Sequence, residues 1–221
     1  MKNNTKVSNA IIRRLPRYRR YLGELKAQGV TKISSNELSE LIGYTASQIR
    51  QDLNTFGGFG QQGYGYSVDY LYEEINKILG LDREYNTVVV GVGHLGQAIT
   101  NHILHYKFGF NIVGLFDVNP MVVGYLSIND VKVQNSANLE AFVKENNVDI
   151  GILCCGKDAA QEMAESLIRG GVKGIWNFAP VDLDLPREVA DEVAVENVHL
   201  SESLHTLSFL ISSNEQEKKQ K

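Results

Sequence analysis

The stretch that most constrains this chain lies near its middle. Thr87-Val-Val-Val90 runs directly into Gly91-Val92-Gly93-His94-Leu95-Gly96 and then into a helical stretch, 95–105. A second apolar run, Ile112–Phe116, ends at Asp117, about 20 residues beyond the last glycine. A strand, a complete G-x-G-x-x-G, a helix, a strand and an acid in that order leave few folds open. Gly91 permits the tight turn, Gly93 lets a pyrophosphate approach the backbone, and Gly96 lets helix and strand pack closely. Val92, His94 and Leu95 complete the loop, and the helix N-terminus offers N–H donors and partial positive charge to phosphates. Asp117 can accept from both hydroxyls of a ribose, and its charge repels a 2′-phosphate. The expected ligand is therefore NAD(H) rather than NADP(H).

The alternation continues with a helix over 138–146, a buried strand over 148–153, a helix over 158–169 and a strand over 174–179. Such a succession predicts a doubly wound parallel sheet. Cys155 and Gly156, and likewise Asn177 and Phe178, fall at carboxyl ends of strands, where the nicotinamide is expected. The last element, 200–212, aligns Leu200, Leu204, Leu207 and Ile211 along one seam. A short helix this apolar is expected to be buried, in a groove of its own domain or of a partner subunit. The polar segment 215–221 is expected to fray.

Charge separates this body from what precedes it. Residues 1–80 hold 11 Lys/Arg and 7 Asp/Glu, whereas residues 81–221 hold 11 and 19. No acid precedes Glu24, yet Lys2, Lys6, Arg13, Arg14, Arg17, Arg19 and Arg20 do. A basic head on an acidic body suggests a polyanionic partner for the head. Its first helix is expected over 11–27, with Pro16 near the first turn. Ser34 and Glu37 have capping-box spacing ahead of Leu38, Leu41 and Ile42, and Thr45 and Gln48 repeat it after a Gly43-Tyr44 turn. Two short capped helices around a glycine turn are a helix-turn-helix signature. The second helix turns Ile49, Leu53 and Phe56 inward and leaves Ala46, Ser47, Gln48, Arg50, Gln51 and Asn54 to read a major groove. Five glycines in 57–65, interleaved with Phe59 and Tyr64, then read as a β-hairpin wing. A further helix, 69–80, leads out of the head.

Several classes are excluded. No apolar run approaches the ~20 residues of a membrane span. The first twenty residues contain no signal-peptide core. The two cysteines, Cys154 and Cys155, are adjacent, which argues against a disulfide framework and fits a reducing cytoplasm. Sheet and helices consume residues 81–213, leaving no separate substrate domain and no evident hydride-transfer acid, so a binding protein is expected rather than a small dehydrogenase. No metal site is expected. The expected divisions are a DNA-binding domain over 1–80, a nucleotide domain over 81–199, a dimerisation helix over 200–213 and a polar tail over 214–221.

A winged helix followed by an NAD-type Rossmann domain in so short a chain resembles the Rex family of bacterial redox-sensing transcriptional repressors. The resemblance is carried by Arg14-Leu-Pro-Arg-Tyr18, Ile33-Ser-Ser35, Gln48-Ile-Arg50, Gly63-Tyr-Gly-Tyr66, Gly91–Gly96, Phe116-Asp117, Asn177–Pro180 and Glu196-Asn-Val198. It implies a homodimer that exchanges its C-terminal helix, a palindromic double-stranded operator, and NADH-driven release of that operator. It also adds Arg14, Arg17, Ser34 and Ser35, with Gln62 and Tyr64 of the wing, to the DNA-binding candidates. Departures from the family pattern are His94 in the dinucleotide loop, Cys154-Cys155-Gly156 where Thr-Val-Pro is usual, and Gln51, Gln61 and Gln62 in the DNA-binding head. His102 and His199 stand where the family carries a Tyr–Asp switch pair. These departures motivate an alternative, a paralogue that binds DNA with a lost or altered NADH response.

Overall fold

A computed structural model describes residues 7–61, 65–106 and 109–219. The chain divides into two compact units, Met1–Arg83 and Glu84–Lys221. Each is described by itself.

The first unit begins with α1 (Asn9–Ala27), followed by β1 (Lys32–Ile33), α2 (Ser35–Ile42) and α3 (Ala46–Asn54). It closes with β2 (Gly60–Gln61), β3 (Gly65–Ser67) and α4 (Val68–Ile78). Its core joins Leu15, Tyr18 and Leu22 of α1 to Leu38 and Ile42 of α2, Ile49 and Leu53 of α3, and Leu71 and Ile75 of α4. Pro16 lies inside α1, not in the first turn that the sequence suggested. The helix carries it on its exposed side, where both Ile12 and Pro16 lie, while completely buried Leu15 and Tyr18 hold the adjoining turns.

Both parts of the capping box at Ser34 and Glu37 are formed. Gly43 then ends α2 at φ 79°, a left-handed conformation that a side chain would disfavour, and Thr45 caps α3 by accepting from the Gln48 N–H. The three strands pair antiparallel in the order β1-β3-β2. Gln62 and Tyr64, expected near the wing tip, lie outside the described residues, as do Lys2 and Lys6.

The second unit comprises β4 (Tyr85–Val90), α5 (His94–Tyr106), β5 (Phe110–Asp117), β6 (Ser127–Ile128) and β7 (Val131–Asn135). A 3-10 turn (Ser136–Asn138), α6 (Leu139–Glu145), β8 (Ile150–Leu153), α7 (Lys157–Gly170) and β9 (Gly174–Asn177) follow. The chain ends through α8 (Arg187–Ala190), β10 (Ala194–Asn197) and α9 (Leu200–Lys219). Strand order is β10-β9-β8-β4-β5-β7-β6, with every pairing parallel except β6 with β7. Chain order thus reverses between β4 and β8, the switch point at which doubly wound sheets bind ligands. One core packs α6 and α7 on the sheet through Leu139, Val143, Met163 and Leu167; the other packs α5 through Ile103.

One expectation fails at the C-terminus: the last helix runs to Lys219, through the segment expected to fray. Of the two grooves expected for its apolar residues, the chain's own domain does not supply one. Leu204 is 66% exposed and Phe209 is 70% exposed. Strands β7 and β10 were not anticipated from the sequence, because edge or near-edge strands such as Val131-Lys-Val-Gln-Asn135 mix polar residues into the apolar run.

Candidate functional site

The carboxyl ends of β4, β5, β7 and β8 gather Gly91, Asp117, Ser136 and Cys154 at one edge of the sheet. They border a cleft of about 270 Å³, walled further by Val118, Ala159 and Met163. The three glycines have separate duties. Gly91 has φ 92°, and a Cβ there would lie 2.6 Å from the Cys155 nitrogen. A Cβ on Gly96 would fall on the Gly91 carbonyl oxygen. At Gly93 a Cβ would meet nothing within 4 Å, so this backbone faces open space. The first and third glycines let the chain fold tightly, and the second leaves a surface on which a phosphate can sit.

Asp117 is held by the loop that it serves. The Val92 N–H donates to Oδ2 at 2.7 Å, and the Asn119 N–H donates to Oδ1 at 2.8 Å. Each carboxylate oxygen retains capacity for a second donor, so the group is oriented rather than exhausted. The Gln97 side chain donates to the Val92 carbonyl at 2.9 Å and Thr100 to the Gly96 carbonyl at 2.7 Å, fixing the loop from the α5 side.

Cys155 and Gly156 line this cleft, but Asn177 and Phe178 do not. Asn177 is completely buried: its amide nitrogen donates to the Val181 carbonyl and to Asn197 Oδ1, and its oxygen accepts from the Ala179 N–H. Phe178 packs edge-on against Trp176. The Asn177 amide thus ties β9 to β10, and neither residue borders this cleft. His94 and Leu95 point to the exposed side of α5 and are absent from the cleft walls. Burial pushes the Cys154 thiol up to about 12, with the Cys155 charge adding to it, and burial also raises Cys155.

His199 immediately precedes α9 and lies 3.2 Å from Asp182 through Nε2. His102 packs its ring against Tyr106, with centroids 4.7 Å apart. Among the described residues no group of three or more His, Cys, Asp or Glu side chains could hold a metal ion. No helix among them is long and apolar enough to cross a membrane.

In the first unit, α3 exposes Ser47, Arg50, Gln51 and Asn54, with Ala46 and Gln48 half-buried near its N-terminus. Arg50 donates through Nη1 to the Ser35 hydroxyl at 2.7 Å, so the first turn of α2 braces the guanidinium. Arg17 stands over the Tyr44 ring at 5.2 Å and is exposed. Two of the predicted DNA contacts also hold the fold: the Ser34 hydroxyl accepts from the Glu37 N–H as the cap of α2, and Arg14 turns inward to the buried Asp52. Charge alone could not separate an inward arginine from an outward one. The cleft residues Ser136 and Met163 were missed as well; recognising β7 as the third strand of the sheet would have placed Ser136 at a carboxyl end.

Comparison with known proteins bears on both units. Residues 6–54 match the family described as "Putative DNA-binding protein N-terminus", and residues 82–181 match the CoA binding domain. The redox-sensing transcriptional repressor Rex of Thermoanaerobacter pseudethanolicus is 57% identical over 221 residues, covering 100% of this chain and 96% of the relative. Its counterpart from Clostridioides difficile is 56% identical over 211 residues, covering 96% and 98%. Among solved structures, a Rex-family repressor called RSP, crystallised with β-NAD+ and operator DNA, superposes with a TM-score of 0.88 at 56% identity, covering 98% of this chain and 97% of that one. RSP with β-NADH gives 0.87 at 54% identity, covering 99% and 100%. With a helix-turn-helix and wing in one unit, a Rossmann cleft in the other and this similarity along the whole length, the chain belongs to the Rex family of redox-sensing transcriptional repressors.

Proposed function

We propose that the chain represses transcription by binding operator DNA through its first unit, and that NADH bound in the Rossmann cleft releases the DNA. The observation that carries the reading is the cleft itself: an open Gly93 backbone at the sheet's switch point beside an Asp117 pre-oriented by two backbone donors. These residues suit a dinucleotide. The N-terminus of α5 would hold the pyrophosphate, Asp117 a ribose, and Cys155 with Gly156 the wall beyond the turn. A relative of this family has been crystallised with β-NAD+ and operator DNA, and also with β-NADH.

On the DNA side, α3 enters the major groove, with Ser47, Arg50, Gln51 and Asn54 facing base edges. Arg50, braced by Ser35, takes guanine O6 and N7, and Arg17 takes a phosphate. The working form is a homodimer joined through α9, whose exposed leucines and Phe209 then become buried, and the operator is palindromic to match the two-fold axis. The protein acts in the cytoplasm and consumes no NADH. An effector shifts such a dimer only through unequal affinity for the DNA-bound and free arrangements. His102 and His199 are the residues of this chain through which that difference is expressed, His199 from its place beside Asp182 at the root of α9. The alternative of a DNA-binding paralogue indifferent to NADH is not favoured, because the loop, the acid and the cleft are all intact.

Operator binding by fluorescence anisotropy, with NAD+ and NADH titrated separately, tests the reading. NADH is expected to weaken binding at least tenfold while its absorbance at 340 nm persists. Equal operator affinity with and without saturating NADH contradicts it.

A further inference from the structure

Tyr44 stands in the turn between α2 and α3, one residue before Thr45 caps the second of these helices. Its ring is half-buried and packs edge-on against Tyr18, with centroids 5.9 Å apart. Tyr18 is completely buried, and its hydroxyl donates to Asp52 of α3. The Arg17 guanidinium stands over the same Tyr44 ring, 5.2 Å from its centroid.

We infer that Tyr44 is a positioning residue for DNA binding: its ring holds the Arg17 guanidinium beside the N-terminus of α3, ready for a phosphate of the DNA backbone. The inference rests on the reading above that Arg17 takes a phosphate, and it adds the residue that presents that arginine.

The cations of α1 have different fates. Arg14 is taken by Asp52, Arg19 donates through Nε to Asn76 at 2.6 Å, and Lys26 pairs with Asp69 and Glu73. Arg17 is exposed, and its partners among the described residues are Tyr44 and Tyr21 rather than a carboxylate. An aromatic face attracts a guanidinium without neutralising it, so the charge and the N–H fork stay available to an anion. Arg20 also stands over a ring, but that ring is Tyr21 of its own helix and fixes it to no other element.

Place matters as much as charge. In a helix-turn-helix the first residues of the second helix meet base edges, and the flanking phosphates lie beside them. A ring anchored at that terminus through Tyr18 and Asp52 keeps Arg17 against the backbone with its rotamers already restricted. An unsupported arginine would lose that freedom only on binding, at a cost in affinity.

The test is a double-mutant cycle on DNA affinity in the full chain, using Arg17→Gln, Tyr44→Leu and the two together, on operator and scrambled duplexes over a range of salt. Arg17→Gln should weaken both duplexes and lower the salt slope by about 1 for each copy of the protein bound. Tyr44→Leu should weaken both duplexes about two- to fivefold, and should change nothing further once Arg17 is Gln. Tyr44→Phe keeps the ring and should bind as the full chain does. Urea midpoints report folding, and Tyr44→Met, whose flexible chain fills the same space, repeats the cycle where Tyr44→Leu does not fold. A Tyr44→Leu loss that persists at full size in the Arg17→Gln background overturns the inference, because Tyr44 then acts independently of Arg17. Unaltered affinity in Tyr44→Leu also overturns it, as does a loss in Tyr44→Phe equal to that in Tyr44→Leu. If Arg17→Gln changes neither affinity nor salt slope, the phosphate reading of Arg17 fails first and the inference falls with it.

Discussion

Arg14 grips Asp52 with two parallel hydrogen bonds, Nε to Oδ2 at 2.6 Å and Nη2 to Oδ1 at 2.7 Å, and the Tyr18 hydroxyl donates to the same carboxylate at 2.8 Å. Asp52 is 2% exposed, so its charge depends on these partners. The network ties α1 to the inner face of α3 and thereby fixes how that helix is presented. Removing one member leaves an uncompensated buried group, which typically costs about 3–5 kcal/mol. Arg14→Leu should destabilise the first unit by that order in urea unfolding, and Arg14→Leu with Asp52→Leu should recover part of the loss. A single variant as stable as the parent would show that the pair is dispensable.

The same network gives the first unit an alkaline limit. Burial, followed by the hydrogen bond to Asp52, raises the Tyr18 pKa above its ordinary value. The unfolded phenol ionises near pH 10, whereas the folded one keeps its proton to higher pH. The stabilisation is therefore complete below about pH 10 and is lost as pH rises through the folded range. Urea midpoints should fall as the pH rises above about 10, and Tyr18→Phe should flatten that fall. Identical slopes would remove Tyr18 as the cause.

The glycines of the loop should separate folding from binding. Gly93→Ala adds a methyl in open space and should leave Tm within a degree or two while weakening NADH at least tenfold. Gly96→Ala drives a methyl onto the Gly91 carbonyl and should cost about 1–3 kcal/mol of stability or more. Calorimetry on both variants, with and without NADH, checks the contrast, and equal losses of stability would erase it.

Much of this organisation is legible in the sequence, for reasons that differ by element. The glycine loop and Asp117 could be read because backbone geometry dictates residue type there, and the caps at Ser34 and Thr45 because their hydrogen bonds are local. Side-chain destinations set by tertiary contact were not readable. Arg14 and Arg17 look alike in a basic helix, yet one is turned inward by Asp52, 38 positions along the chain, and the other stands over Tyr44. Asn177 sits at the expected strand end but is claimed by Asn197 of β10, a strand that the alternation did not reveal.

Arg50 should carry base discrimination and Ser35 should brace it. Arg50→Ala is expected to cost about 1–3 kcal/mol of operator affinity, largely through one base position. Ser35→Ala should cost less and leave non-specific DNA binding unchanged. Competition with a scrambled duplex measures both, and a uniform loss on both duplexes would reassign Arg50 to a phosphate.

The adjacent cysteines should be poor nucleophiles. Burial raises both thiols, Cys154 to about 12, so little thiolate forms near neutrality. Iodoacetamide at about pH 8 should label the native protein at least tenfold more slowly than the urea-unfolded chain, whose thiols ionise near 8.5. Equal rates would indicate an accessible thiolate instead.

The central claim is an energetic coupling between cleft and DNA, and coupling is reciprocal. The most direct measurement is the affinity of NADH for the free protein and for the protein saturated with operator, by quenching of NADH fluorescence at one salt concentration. Operator should weaken NADH by the same factor by which NADH weakens operator, at least tenfold. An NADH affinity identical in the two states would contradict the repressor's proposed response.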